Sequence, residues 1–388
     1  MVIAIIGSGR QGTAAAYDMI RSDDVDRLLL IDNSDTSLKK SKEHLLKLVP
    51  NIEIKLEKVD IDNDRSLLLD LLEDVFLFIS AVPYKYNYFL TMVALDSKTS
   101  MVDLGGNTEI VRKQLSMTDR AKDKGITIVP DCGMGPGMNI SMAMLAMEMT
   151  DIPKNVSIWD GGLPKNPKPP WNYNLFFNIN GLTNEYDESA YFIDNGKVVE
   201  VPCFERYEII DFGLPFGKLE AAVTSGGLST LPWTMEGKLD SLENKTLRYL
   251  GHWEWMKAYR ELGLFNEAAI KFKGVDIIPR ELYHDLISKK LDNGNKDDIC
   301  IMRIKCEGIK DNKAVEVLID AIETYDNDTC FMAMEKWTGW HASIIAQRII
   351  SGDIDKGAIS VENSISGHDF YKEAIKRGYK IETQIKDK

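Results

Sequence analysis

The first twelve residues constrain the fold of this chain more than any other stretch. Residues 2–6 are an apolar run rich in β-branched side chains, which is typical of a strand buried on both faces. Gly-Ser-Gly-Arg-Gln-Gly follows at 7–12, and the alanine-rich residues 13–20 are predicted to be helical. A strand, a glycine-rich turn and a helix in this order predict a doubly wound α/β domain that binds a dinucleotide.

Each glycine of this turn has a physical role in that interpretation. Gly7 makes the tight turn, Gly9 lets the backbone approach a pyrophosphate, and Gly12 lets the helix pack closely on the strand. The first helical turn, with Arg10 and Gln11, presents free N–H groups and a positive dipole end to the phosphates. The alternatives are an ordinary βα turn and a methyltransferase that binds a nucleoside.

The choice of cofactor depends on Asp32. It ends the apolar run 28–32, at roughly the distance from the glycines where an acid binds the ribose 2′-OH. Its carboxylate would repel a 2′-phosphate, and residues 33–35 (Asn-Ser-Asp) contain no Arg or Lys to offset that repulsion. The sequence therefore predicts NAD rather than NADP.

Length and charge exclude several classes of protein. A chain of 388 residues predicts two domains. The net charge of −13, with no basic cluster, argues against nucleic acid as a partner, and no apolar run is long enough to span a membrane. Five scattered cysteines without a CxxC pair argue against a zinc site and a disulfide framework. With no signal peptide recognisable, we expect a reduced, cytoplasmic enzyme without a metal.

Strands and helices alternate over the first third of the chain. The predicted strands are 2–6, 28–32, 53–59, 75–82, 100–104 and 126–130. They predict one parallel, doubly wound Rossmann sheet over 1–138. Residues 139–330 predict a second α+β domain on a mostly antiparallel sheet, and the late helix 329–350 is expected to return to the first domain.

Ligands of such sheets bind beyond the carboxyl ends of the strands. The residues found there are Gly7, Asp32, Asp60, Pro83 with Tyr84, Asp103 and Asp131. We expect Asp60 to contact the adenine, and Val82 and Pro83 to lie near the nicotinamide. Cys132 is interpreted as a small buried thiol rather than a nucleophile.

Asp103 is the sharpest catalytic candidate. It follows an apolar strand and precedes two glycines that are expected to expose it, so its carboxylate could hold a substrate ammonium group or take its proton. Tyr84 and Asn87 are expected to assist it. The alternative is a turn aspartate that caps the helix beginning near Glu109.

Three features of the second domain could bind substrate. Thr224-Ser225-Gly226-Gly227 resembles an anion-binding turn, although an ordinary tight turn is as consistent with it. Arg248 is suited to clamp a carboxylate, and His252, four residues on, could shuttle a proton. Their alternatives are a surface salt bridge and a structural histidine. Tyr173 and Asn174 are expected to line the same pocket, or else to belong to the core.

Several of these segments together resemble the saccharopine dehydrogenase superfamily, and most closely its lysine 6-dehydrogenase branch. The resemblance runs in order along nearly the whole chain, through Gly7-Ser8-Gly9, residues 102–106, 130–133, 136–138, 161–164 with 169–170, 224–227 and 245–252. It implies NAD-linked oxidation of the side-chain amine of lysine to a semialdehyde, which cyclises to a piperideine carboxylate, with release of ammonia. It also implies a dinucleotide domain completed by about 331–388 and a homodimer or higher homo-oligomer.

These observations predict a mechanism with named roles. Arg248 with Thr224 and Ser225 holds the substrate α-carboxylate, Asp103 holds the reacting amine, and Asp103 or His252 acts as the base. Saccharopine or a carboxylated polyamine remains an alternative substrate, with reductive condensation as the direction. A catalytically silent NAD-binding sensor remains the alternative outside catalysis.

Overall fold

The structure is a computed structural model that describes residues 1–292, 294 and 296–388. The chain folds into two compact units. The first unit comprises Met1–Glu148, Ser229–Leu231 and Asn327–Gly378. The second comprises Met149–Leu228, Pro232–Asp326 and Tyr379–Lys388.

Residues 1–148 alternate strands and helices as the sequence predicts. The strands are β1 (Val2–Ile6), β2 (Arg27–Asp32), β3 (Glu53–Lys58), β4 (Leu77–Ser80), β5 (Ser100–Asp103) and β6 (Thr127–Val129). The helices are α1 (Arg10–Met19), α2 (Asp35–Leu48), α3 (Arg65–Leu72), α4 (Asn87–Ser97), α5 (Thr108–Leu115), α6 (Thr118–Lys124) and α7 (Met138–Glu148), with a 3₁₀ turn at Tyr84–Tyr86. The helix expected to begin near Glu109 is followed at once by a second helix, α6.

The middle of the chain contains long strands and short helices. The strands are β7 (Ile152–Pro164), β8 (Ser189–Asp194), β9 (Lys197–Pro202), β10 (Glu208–Asp211), β11 (Lys218–Ala222), β12 (Ser241–Tyr249), β13 (Ile270–Phe272), β14 (Val275–Ile277), β15 (Asp298–Lys310) and β16 (Lys313–Thr324). The helices are α8 (Ile179–Glu185), α9 (Leu231–Met235), α10 (His252–Glu261) and α11 (Pro279–Leu291).

The last part of the chain contributes to both units. Its helices are α12 (Ala333–Ile350), α13 (Val361–Ser364) and α14 (Gly367–Lys376), and its strands are β17 (Gly357–Ala358) and β18 (Lys380–Asp387). Helix α12 packs on α1, β4 and β5 in the first unit, as the late helix was expected to do. Strand β18 pairs with β16 in the second sheet, so residues 380–387 do not complete the dinucleotide domain as expected.

The first unit is built on a parallel sheet in the order β17-β6-β5-β4-β1-β2-β3. The order changes direction between β1 and β4, and α/β sheets bind ligands at the carboxyl ends of strands near such a point. Apolar side chains on these strands, including Ile6, Ile31, Phe78 and Met101, form a buried core. Full burial of a side chain of this kind is worth about 1.5–3 kcal/mol. This core fixes the strand ends that carry the candidate residues.

The second unit is built on a mixed, mostly antiparallel sheet. Its main path runs β10-β11-β12-β7-β15-β16-β18, with β8 and β9 attached to β12. The α/β class with a second α+β domain is thus confirmed. None of the helices in the described residues combines the length and the apolar character that a membrane-spanning helix requires.

Candidate functional site

The glycine turn after β1 has the geometry that a pyrophosphate needs. A Cβ on Gly12 would lie 1.9 Å from the carbonyl oxygen of Gly7, so only glycine lets α1 approach the strand this closely. A Cβ on Gly9 would meet no described atom within 4 Å, which leaves open space beside the helix N-terminus. Helix α1 begins at Arg10 with Gly9 as its cap. These residues fit a dinucleotide phosphate held by backbone N–H groups.

Asp32 lies at the carboxyl end of β2, beside this turn. Its carboxylate accepts hydrogen bonds from the Ser8 backbone N–H (2.8 Å), the Ser8 hydroxyl (3.1 Å) and the Ser34 N–H (2.8 Å). An ionised carboxylate has about four lone-pair sites, so this one keeps acceptor capacity for a ribose hydroxyl. The geometry fits a nicotinamide dinucleotide.

The other predicted cofactor contacts differ in their surroundings. Val82 packs beside Gly7, whereas Pro83 is exposed and precedes the 3₁₀ turn. Arg10 is exposed and Gln11 half-buried in the first turn of α1.

Asp60 lies two residues past the end of β3, and its carboxylate accepts hydrogen bonds from Asp62 N–H (3.1 Å) and Asn63 Nδ2 (2.7 Å). Asp60 thus stabilises a local turn, and its contact with the adenine stays a prediction.

Asp103, at the end of β5, is completely buried, with 0% of its surface exposed. The expectation that the two glycines expose it is wrong. The turn instead folds over the carboxyl group, and one oxygen accepts from Gly105 N–H (2.8 Å) and Asp131 N–H (3.1 Å). The other oxygen accepts from Gln114 Nε2 of α5 (2.7 Å). Gln114 was missed because nothing in its local sequence marks it as a partner of a strand end.

Asp131 forms a second buried acid against Asp103. Its backbone is in the left-handed region (φ 59°), which is uncommon for a residue other than glycine and is found at functional sites. Its carboxylate accepts a hydrogen bond from Gly106 N–H (3.2 Å). A Cβ on Gly105 would lie 1.7 Å from the same oxygen, so glycine is required there. We call Asp103 and Asp131 the acid pair.

Burial shifts the titration of the acid pair. Loss of hydration raises the pKa of Asp103 to about 6, although its three hydrogen-bond donors act in the opposite direction. The pKa of Asp131 is raised to about 7 by burial and by the negative charges of Asp103 and Glu362. Near neutral pH the pair therefore carries a proton that it can exchange.

Two further predicted residues lie around the acid pair. The Tyr84 ring is 3.3 Å from the position of a Cβ on Gly106. Asn87 is buried and accepts a hydrogen bond from Ser80, whose strand is paired in register with that of Asp103. Gln114 also donates to Thr91, which in turn donates to the Asn87 carbonyl. Asn87 thus belongs to the buried network behind the acid pair.

Cys132, next to Asp131, fits the interpretation of a buried thiol. None of its surface is exposed, and burial together with the negative charges of Asp103 and Asp131 raises its pKa. Its carbonyl accepts a hydrogen bond from His341 Nδ1 (2.9 Å). A protonated thiol in this position is a poor nucleophile.

Arg248 is the centre of the second group of candidates, in the second unit. It is 2% exposed and lies on β12. Its guanidinium donates to Tyr186 Oη (3.1 Å), to the Leu247 carbonyl (2.9 Å) and to Glu185 Oε2 (3.2 Å). It also lies over the Tyr173 ring, 4.7 Å from the centroid. Arg248 is therefore a buried cation held by aromatic rings, not a surface salt bridge.

The structure argues against His252 as a base. Its Nδ1 lies 2.9 Å from the Trp171 carbonyl, so this nitrogen carries the proton, and Nε2 accepts from the Tyr186 hydroxyl (3.0 Å). Burial and the charge of Arg248 lower its pKa to about 3. His252 is a neutral positioning residue that orients Tyr186, which in turn orients Arg248.

The Thr224-Ser225 turn does not present free hydroxyls to an anion. Thr224 Oγ1 is 2.6 Å from Thr246 Oγ1, and Ser225 Oγ donates to the Asn184 carbonyl (2.7 Å). The expectation of an anion-binding turn gives way to the tight-turn alternative, because both hydroxyls are used within the protein. Ser225 thereby holds the end of α8, where Glu185 lies, whereas Thr224 is tied to β12.

Glu185 was not identified from the sequence. It ends α8 and is 29% exposed at its side chain, whereas Arg248 is 3% exposed. Loss of hydration, with a smaller contribution from the negative charge of Asp160, raises the pKa of Glu185 to about 7 against the opposing effect of Arg248. Tyr173 and Asn174 are both buried, and the Tyr173 hydroxyl has no hydrogen-bond partner among the described residues.

Family models and known proteins match this chain over most of its length. Family models described as the saccharopine dehydrogenase NADP binding domain and C-terminal domain match residues 3–129 and 133–378. The mitochondrial alpha-aminoadipic semialdehyde synthase of Rattus norvegicus is 24% identical over 277 residues, which cover 68% of this chain. The match covers 28% of the rat protein, so the chain spans less than a third of that relative.

Two solved structures share the fold along the whole chain. Apo saccharopine dehydrogenase (L-Glu forming) from Saccharomyces cerevisiae matches with a TM-score of 0.78 and 17% identity, over 99% of both chains. Homospermidine synthase from Legionella pneumophila, solved in complex with NAD, matches with a TM-score of 0.71 and 11% identity, over 100% of this chain and 93% of that one. At these identities the likeness concerns the fold alone.

Proposed function

We infer a reaction from the premise that this chain belongs to the saccharopine dehydrogenase family. Its family makes it an oxidoreductase with a nicotinamide cofactor. We propose that it oxidises the side-chain amine of L-lysine, so that lysine, NAD⁺ and water yield the semialdehyde, ammonium, NADH and a proton. The semialdehyde then cyclises to the piperideine carboxylate.

The observation that carries this proposal is the charge around Arg248. The guanidinium of Arg248 is buried, and a carboxylate oxygen of Glu185 lies 3.2 Å from it. The negative charge of Asp160 is close enough to raise the pKa of Glu185. A ligand with several carboxylates would need more than one cation, whereas in the described part of the chain the charges found around the Arg248–Glu185 pair are the acids Glu185 and Asp160. Lysine has one carboxylate and two ammonium groups, so it fits an acidic surrounding with a single guanidinium.

We assign the handling of protons to the acid pair. A bound nicotinamide supplies the acceptor for the hydride of the amine-bearing carbon. The amine must first lose a proton, and a buried carboxyl pair with pKa values of about 6 and 7 can accept one near neutral pH. The two carboxyl groups share the exchangeable proton, and Asp103 also fixes Asp131 in place by accepting a hydrogen bond from its backbone N–H.

The preference for NAD rests on Asp32. Its carboxylate is held by Ser8 and Ser34 at the ribose end of the turn. A 2′-phosphate would bring at least one further negative charge beside it, and residues 33–35 supply no cation. We therefore propose NAD, although the matching family model carries NADP in its description.

Saccharopine is the second candidate substrate. It is supported by the names of the relatives, since the solved yeast structure and the family models are described as saccharopine dehydrogenase. Oxidation of its secondary amine would use the same acid pair, but would release glutamate instead of ammonia. The excess of acids near Arg248 favours the smaller substrate.

Absorbance of the reduced nicotinamide tests the proposal. Purified protein with NAD is offered lysine, saccharopine, ornithine and carboxynorspermidine in turn. We expect a signal with lysine. A signal with saccharopine or the polyamine alone would replace the substrate, and NAD binding without a signal for any amine would leave a sensor as the better explanation.

A further inference from the structure

The contacts of Arg248 and Glu185 point to a more specific recognition site. We propose that these two residues form a subsite for the α-amino acid zwitterion, in which Arg248 binds the carboxylate and Glu185 accepts hydrogen bonds from the α-ammonium group. The substrate class, an α-amino acid, rests on the proposed function. The recognition itself can be tested without turnover.

Arg248 retains donors for a carboxylate. A guanidinium has about five N–H groups, and in the described part of the chain its bonds go to Tyr186, Leu247 and Glu185. Tyr186 and the ring of Tyr173 hold the guanidinium plane, so little side-chain freedom is lost when a ligand binds. The buried Tyr173 hydroxyl, which has no described partner, supplies a further donor.

Glu185 is placed to complete the site. One of its oxygens is 3.2 Å from Arg248, and its side chain is the more exposed of the two. A ligand can therefore approach the pair from the side of Glu185. Asp160, held by Asn244 Nδ2 (3.2 Å), adds a second negative charge that favours a cationic group beside Glu185.

The pairing of charges explains why a zwitterion fits better than either half of it. A carboxylate alone would bind Arg248 but would face Glu185 and Asp160, and like charges at this range repel. An ammonium group alone would pair with Glu185 but would compete with Arg248 for it. A zwitterion brings both charges, so neither Arg248 nor Glu185 loses a partner when it binds.

Binding of lysine analogues that cannot react at the side chain tests the subsite. L-norleucine carries the zwitterion without the side-chain amine, whereas hexanoate lacks the α-ammonium group. Calorimetric titration of the protein, saturated with NAD, measures the affinity of both ligands. We expect L-norleucine to bind wild type at least about tenfold more tightly than hexanoate, and about tenfold corresponds to ~1.4 kcal/mol.

Substitution at Glu185 should remove this preference. Glu185→Gln keeps the shape and a hydrogen bond to Arg248 but loses the charge, so the two ligands should bind with similar affinity. Glu188→Gln, an exposed acid on the same segment, serves as the control and should keep the preference. If Glu185→Gln does not fold, Glu185→Asp, which retains the charge with a shorter reach, should lose part of the preference.

Three results would overturn the subsite: equal affinity of both ligands for wild type, no measurable binding of L-norleucine, or an unchanged preference in the folded Glu185 variants. These binding results can be distinguished from the results of the activity assay with lysine, saccharopine, ornithine and carboxynorspermidine. If lysine is not oxidised but L-norleucine is preferred and the preference depends on Glu185, the proposed reaction fails and the subsite stands.

Discussion

The acid pair of the first unit and the Arg248 group of the second both bury carboxyl groups, but in opposite electrostatic settings. Asp103 and Asp131 are bonded mainly by N–H groups, and among the described residues no cation donates to either of them. Glu185, in contrast, has a guanidinium at 3.2 Å. Burial raises the pKa of all three carboxyl groups, to about 6 for Asp103 and about 7 for Asp131 and Glu185. The acid pair, to which no described cation donates, suits proton exchange near neutral pH, whereas the guanidinium beside Glu185 favours its charged form and suits recognition of a charged ligand.

The largest expected effect comes from neutralising the acid pair. Asp103→Asn should lower kcat by roughly 10²–10⁴-fold, the range typical of a lost acid–base group. Initial rates at saturating lysine measure this, and NAD affinity measured separately should be unchanged. The exposed Asp123→Asn on α6 is the matched control. Full turnover in Asp103→Asn would remove the acid pair from the mechanism.

Loss of Arg248 should act on binding instead. Arg248→Ala should raise the KM for lysine by roughly 100-fold, because a buried charged hydrogen-bond partner is worth about 2–5 kcal/mol. Arg248→Lys should recover part of this loss, since it restores the charge without the planar fork. The exposed Lys257→Ala on α10 is the control. An equal loss of NAD affinity in Arg248→Ala would contradict the role in substrate binding.

The acid pair should also make stability depend on pH. The pKa of Asp103 rises from 3.8 to about 6 on folding, so the native state retains a proton that the unfolded chain has released between these values. The free energy of unfolding should therefore fall as pH rises through this range, by up to about 3 kcal/mol for roughly two pKa units. Asp103→Asn should lose this dependence, measured as the difference between its urea unfolding and that of wild type from pH 4 to 8. A constant difference across this range would contradict the buried, protonated form.

The smallest effect is expected at His252. Because its ring is neutral and bonded at both nitrogens, His252→Gln, which retains an acceptor for Tyr186, should lower kcat/KM by less than about tenfold, as for one lost hydrogen bond of ~1 kcal/mol. The pH profile of kcat/KM should keep its shape. Loss of one limb of that profile would restore His252 as the base.

Local patterns predict some of these features and not others. The strand, glycine turn and helix at the N-terminus could be predicted because they are adjacent in the chain, and Asp103 could be placed at a strand end because an apolar run precedes it. The burial of Asp103 could not be predicted. Its donor Gln114 lies eleven positions away on the following helix, and the turn closes over the carboxyl group. Glu185 was missed because it lies at the end of a short helix, 63 positions from Arg248, with no motif of its own.

The role of His252 shows the same limit. A histidine four residues after an arginine suggested a proton shuttle, but the pairing with Tyr186 and Trp171 depends on contacts 66 and 81 positions away. The hydroxyls of Thr224 and Ser225 were expected to bind an anion, because their actual partners, Thr246 and Asn184, are distant in the sequence. Partners distant in sequence decide whether a polar side chain is free for a ligand.

The central claim, that the chain deaminates lysine, is tested most directly by the stoichiometry of ammonia and reduced nicotinamide. Both are measured in one reaction of the wild-type protein with L-lysine and NAD. We predict equal amounts of the two products at every time point. The claim would be contradicted if reduced nicotinamide formed from lysine without ammonia. It would also be contradicted if lysine gave no reduced nicotinamide while saccharopine gave reduced nicotinamide and glutamate.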